Sequence, residues 1–125
     1  MVTPDDYFLL SKWWVAHKWT PPKQNLLSEF GLIAEKDGIP LAAGWLYLTT
    51  SKFGWLEFLV SNPDAPRKDM TIALKCLIER LLQEAKDFGV LSVFSSLNNK
   101  GLIRMYKKMG FKEAENNMTN MVYNL

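Results

Sequence analysis

The stretch GWLEFLVSNPDAPRKDMTIALKCLIERLLQEAKDFG, residues 54–89, decides the fold. Its first part is an apolar run broken by one carboxylate, Glu57, and closed by Asn62-Pro63, a turn signal. Such a run suits a strand buried on both faces. Its last part reads as a helix. Leu74, Leu77, Ile78, Leu81, Ala85 and Phe88 fall on one stripe, Lys75, Glu79, Gln83 and Lys86 take the other side, and Gly89 suits the position just past a helix end. A second strand, Val90 to Leu97, follows at once. Strand, helix and strand in direct succession argue for a parallel, right-handed crossover. Ligands of such units bind beyond the strands' C-terminal ends, at the N-terminus of the next helix. That places a candidate site at Ser61 to Thr71.

Working outward, Thr3-Pro4-Asp5-Asp6 is a helix start, with a capping residue, a proline and two acids. The helix is expected to run to about Lys18, with Tyr7, Leu10, Trp14 and His17 on one side. Trp13 and Trp14 are adjacent, and the expectation is that only one faces inward, the other lining an acceptor groove or a homodimer contact. Residues 21–29 read as a loop with room for one short helix. Gly31 to Glu35 and Ile39 to Thr49 read as strands joined by a hairpin turn at Lys36-Asp37-Gly38. After Leu97, Asn98 or Asn99 can cap a last helix. Leu102, Met105, Tyr106 and Met109 share its apolar face, and Lys100, Arg104, Lys107 and Lys108 its basic one. Phe111 to Ala114 and Met118 to Tyr123, joined at Glu115-Asn116-Asn117, are expected to form a terminal hairpin.

The 125 residues, 48% hydrophobic, fit a single domain spanning 1–125 with one core. A net charge of +2 does not call for a polyanionic partner, so nucleic acid is not indicated. The single cysteine, Cys76, excludes an internal disulfide and suits a reducing, cytoplasmic setting. It is expected to pack beside the core stripe. No apolar run has membrane-spanning length, and no His/Cys pairing has metal-ligand spacing, so neither membrane nor metal is expected.

The element order resembles the GNAT superfamily of N-acetyltransferases, an α/β fold with a mixed sheet. The most specific resemblance is Asn99-Lys-Gly-Leu102-Ile-Arg-Met105-Tyr106-Lys-Lys-Met-Gly110-Phe111. It is similar to the family's late motif, Asn-x-x-Ala-x-x-Leu-Tyr-x-x-x-Gly-Phe, with Asn99, Tyr106, Gly110 and Phe111 matching in identity. The family's first strand would be cut to Met1 and Val2 or be absent. The resemblance implies acetyl-CoA as cosubstrate and a small-molecule or peptide amine as acceptor. In the family the strands flanking the crossover helix splay and admit the pantetheine arm. The implied cofactor contacts are Phe58, Leu59 and Val60 on the strand, Arg67, Lys68, Thr71, Ile72 and Ala73 on the following loop and helix start, and Asn99. The family's phosphate loop, Arg/Gln-x-x-Gly-x-Gly/Ala, has as its nearest counterpart Lys68-Asp-Met-Thr71-Ile-Ala73, without glycine. A β-carbon at Thr71 narrows the phosphate approach and Asp69 adds a repelling charge, while Arg67 and Lys68 supply cations. That departure keeps a second expectation alive, a GNAT-fold binding or assembly module without catalysis.

Two residues carry the implied chemistry. Tyr106 matches the family's general acid, since a phenol can protonate a departing thiolate; its alternative is a core tyrosine. Glu57 is the one charge inside Trp55 to Val60, so it needs a polar outlet or a raised pKa. It reads either as the base, acting through water, or as a surface glutamate paired with Lys52. The oxyanion donor would be a backbone N–H near Leu59 or Val60. His17, the only histidine, reads as a helix-end residue satisfied by nearby carbonyls.

Overall fold

The run around Glu57 forms strand β3, Phe53–Ser61, in a computed structural model that describes residues 2–125. Before it come helix α1, Asp6–Ala16, a short 3₁₀ turn, Gln24–Leu26, and strands β1, Gly31–Lys36, and β2, Ile39–Leu48. After it come helix α2, Arg67–Asp87, strand β4, Ser92–Ser95, and helix α3, Lys100–Lys108. The sheet order is β1-β2-β3-β4; the first two pairings are antiparallel and β3–β4 is parallel. The mixed α/β class, the meander and the crossover expected from the sequence are all present. Val2 donates to the Gly31 carbonyl at 3.0 Å, beside β1; Met1 lies outside the described residues.

Two cores sit on opposite faces of the sheet. On one, Leu41, Ala42, Leu46 and Leu56 meet Ala73, Leu77, Ile78, Leu81 and Ala85 of α2 and Tyr106 of α3. On the other, Ala43, Trp45 and Val60 meet Leu10, Trp13 and Trp14 of α1. Both tryptophans are therefore buried, contrary to expectation: they stand three and four residues after Leu10, and both positions belong to one helical stripe. Trp14 stacks on Trp45 with ring centroids 5.5 Å apart. Trp45 leaves no room at Gly31, where an added Cβ would collide with the indole nitrogen.

Other details differ from the sequence reading. Cys76 is exposed on α2, one step past the buried stripe. Phe88 is half-exposed yet packs on Phe30 at 4.9 Å. The terminal hairpin is not formed. A bend occurs at Asn116-Asn117, with Asn117 at φ 57°, but the flanking segments pair with nothing and residues 112–125 are exposed. The first arm, Phe111-Lys112-Glu113-Ala114, has one large apolar residue, Phe111, which turns to the Tyr106 ring instead, and Glu113 is drawn to Lys107 at 2.9 Å.

Candidate active site

Strand β3 changes phase within its own length. Leu56 faces the α2 core, but Phe58 and Val60 both pack on the α1 side while Leu59 returns to the α2 side. The break sits at Phe58, whose φ is +59°, in the left-handed region that non-glycine residues rarely occupy. Opposite it the β2 register slips between Ala43 and Trp45, a β-bulge. The parallel partner also ends here. Its last paired residue is Ser95, opposite Leu56, so Glu57 to Ser61 have no β4 residue alongside. The two parallel strands thus separate ahead of the crossover helix.

The gap opens into a groove of about 970 Å³ between α2 and α3. Leu59, Val60 and Ser61 form its inner end, and Arg67, Met70, Thr71 and Leu74 line the α2 side. Lys75 and Lys86 of α2 and Arg104 and Lys108 of α3 complete the walls, so with Arg67 five cations face one carboxylate, Glu79. Helix α2 begins at Arg67 after Pro66, and the first turn leaves the amides of Arg67, Lys68 and Asp69 without intrahelical acceptors. The expected loop is therefore already helix. Thr71 turns its hydroxyl back to the Arg67 carbonyl at 2.9 Å. Asp69 is drawn aside by Lys36 at 3.2 Å, so its charge is offset. Lys68 and Ile72 are exposed and do not line the groove, and Ala73 is buried against the sheet. Asn99 lines the groove and caps α3, its side chain accepting from Leu102 N–H at 3.0 Å.

A second, smaller cavity of about 230 Å³ adjoins the same gap. Trp14, Trp19, Pro22, Glu57, Phe58 and Leu97 are among its walls. Glu57 is held by Trp55, whose indole N–H donates to Oε2 at 2.7 Å, rather than by Lys52. Tyr106 lies just behind this cavity, nearly buried, with its ring 4.5 Å from Phe111. Its hydroxyl is 3.4 Å from Ser95 Oγ, and Ser95 donates to the Leu56 carbonyl at 2.9 Å. Burial pushes the Tyr106 phenol up to about 12; the Ser95 contact opposes this and the Glu57 carboxylate adds to it. Sequence reasoning missed Ser95, which carries no motif, and Trp19, which the end of α1 positions. There Lys18 takes φ 64° and the Trp19 amide closes back on the Trp14 carbonyl at 2.9 Å, a Schellman-type stop. His17 stacks on Trp19 and lies 3.0 Å from the Ser61 carbonyl, which fits the helix-end role read from the sequence.

A bulged strand, a parted parallel partner and a cationic groove at the crossover helix meet at one end of a mixed sheet. The profile of the Acetyltransferase (GNAT) family matches residues 4–111, and the chain belongs to that family. Acetyl-CoA is accordingly its cosubstrate. Among solved structures, the chain is similar to the ribosomal-protein-S18-alanine N-acetyltransferase of Escherichia coli, with 19% identity over 91% of this chain and 76% of that one, at a TM-score of 0.74. Wild-type TTHA1254 of Thermus thermophilus gives 17% identity, 99% and 95% coverage and 0.72. Rv2747 of Mycobacterium tuberculosis, solved with CoA, gives 17%, 91% and 70%, and 0.74. These likenesses show the fold. No curated protein matches the chain. Among the described residues no helix is long and apolar enough to cross a membrane, and no cluster could hold a metal ion.

Proposed function

We propose that the chain moves an acetyl group from acetyl-CoA directly to a primary amine. The observation that carries this reading is the parting of β3 and β4 beyond Leu56, which opens onto a groove with five cations. The residues present fit the cosubstrate. Arg67, Lys75, Lys86, Arg104 and Lys108 would hold its phosphates, with the free first-turn amides of α2 adding to the field. The main chain at Leu59 to Ser61 would hold the pantetheine arm. The Lys36 pair offsets the Asp69 charge and the Thr71 hydroxyl is turned back onto the helix, which lessens the two objections that the glycine-free sequence raises.

Bound there, the thioester supplies an electrophilic acyl carbon. Glu57 accepts the ammonium proton, directly or through water, and the freed nitrogen bonds to the acyl carbon as the carbon–sulfur bond breaks. Backbone N–H groups of the bulge near Leu59 and Val60 stabilise the developing oxyanion. Ser95 Oγ, which lies on the cavity, gives its hydrogen to the departing sulfur and takes that of the Tyr106 phenol in its place, and the amine's second proton restores the phenol. The products are an amide, free CoA and one released proton.

Calorimetry tests the reading. Acetyl-CoA should bind at roughly micromolar affinity, and Arg67→Ala should weaken it about tenfold. Tyr106→Phe should lower turnover by about 10²-fold at unchanged affinity. No heat at millimolar acetyl-CoA would favour the binding-module reading that the glycine-free helix start supports.

A further inference from the structure

The smaller cavity has a chemical signature of its own. Its aromatic and apolar walls are Trp14, Trp19, Pro22, Phe58, Leu59 and Leu97, and Glu57 is the one ionisable residue on them. It shares Trp19, Leu59, Asn99 and Leu102 with the cationic groove, so the two meet where the strands part. We propose that it is the acceptor subsite and that it selects a compact primary monoamine bearing an aromatic ring, of the arylethylamine type. This rests on the acyl-transfer reading above.

Four observations carry it. At about 230 Å³ the cavity is below the ~300–1,000 Å³ of sites that engulf drug-sized ligands, so it admits a ring on a short tether. One carboxylate neutralises one ammonium, and Trp55 already holds Oε2, leaving Oε1 to face the amine. A polyamine or aminoglycoside would bring further charges with no partner here and would meet the five cations next door. An acceptor with its own carboxylate would be repelled by Glu57. The walls are also built in advance. Tyr7 donates to the Pro22 carbonyl at 2.7 Å, and Trp19 is fixed by its backbone bond to Trp14 and its stack on His17. Ser95 donates to the Leu56 carbonyl and Asn99 caps α3, so the ring faces share the lining with the uncharged polar groups of Thr20, Ser96 and Asn98. The transfer balances as written above: ammonium and thioester become amide, thiol and one proton.

The test compares kcat/KM for 2-phenylethylamine, spermidine, kanamycin and a decapeptide with a free N-terminus. Alongside, quenching of tryptophan emission follows 2-phenylethylamine binding without acetyl-CoA. The proposal expects 2-phenylethylamine to lead by at least about tenfold and its quenching to saturate. Trp19→Ala, at a half-exposed position that folding tolerates, should erase the lead and weaken the quenching about tenfold, while Trp19→Phe keeps most of both. If acetyl-CoA binds but another acceptor leads, or if Trp19→Ala leaves the lead intact, the acceptor class is overturned and the transfer reading stands. If acetyl-CoA does not bind yet quenching saturates and depends on Trp19, the ligand class is supported and the transfer reading alone falls. Non-saturating quenching, with no lead for 2-phenylethylamine, overturns the proposal.

Discussion

Tyr106 shows how packing fixes a residue for the chemistry proposed for it. It closes the core between α3 and the sheet and packs on Phe111, while its hydroxyl reaches Ser95 Oγ, one of the polar groups on the smaller cavity. Because burial lifts its pKa from 10.0 to about 12, the phenol stays protonated at any physiological pH and is ready to donate. The same shift bears on stability. A folded state that holds the proton more tightly keeps that advantage below pH 10 and loses it as pH rises from 10 through about 12. Two units correspond to roughly 3 kcal/mol at most. Denaturant unfolding from pH 9 to pH 12 should therefore show a steeper alkaline loss in the wild type than in Tyr106→Phe. Equal slopes would mean that the phenol is not desolvated as the fold implies.

At the scale of elements, β3 is the part that turns a fold into a site. Its alternation is interrupted at Phe58 so that Glu57 and Phe58 both reach the α1 side, and its partner β4 stops at Ser95. The helices on either side depend on close approach to the sheet. Gly31→Ala should push Trp45 out of its stack with Trp14 and cost about 1–3 kcal/mol, measured by thermal or denaturant unfolding; a change within about 0.5 kcal/mol would contradict the packing described for α1. The order of elements was legible in the sequence because periodicity, Pro, Gly and Asn mark most boundaries, from Asp37-Gly38 to Gly89 and Asn99. The placement of Glu57 on a cavity was also legible, since an apolar run tolerates one carboxylate only with an outlet. What the sequence could not show is set by tertiary contact. The Phe58 bulge has no glycine beside it in its own strand and shows only through Gly44 opposite, where an added Cβ would meet Leu59; Trp13 and Trp14 share a face only because the helical stripe is wide, and the last hairpin fails because its first arm has little apolar surface. Arg67 to Met70 read as a loop ahead of the helix because its first turn has no side-chain cap, only Pro66.

Across the whole molecule, charge is sorted by location although the net value is only +2. Five cations gather along one groove, while Glu57 stands alone in the cavity beyond the parted strands. Opposite ends of one continuous gap thus suit an anionic cosubstrate and a cationic acceptor, meeting at Leu59. Amide hydrogen exchange with and without acetyl-CoA tests this arrangement most directly. Slowed exchange at Leu59 to Ser61 and at Arg67 to Asp69, with β1 unchanged, is the predicted result; protection absent from both segments, or confined to some other surface, would contradict it.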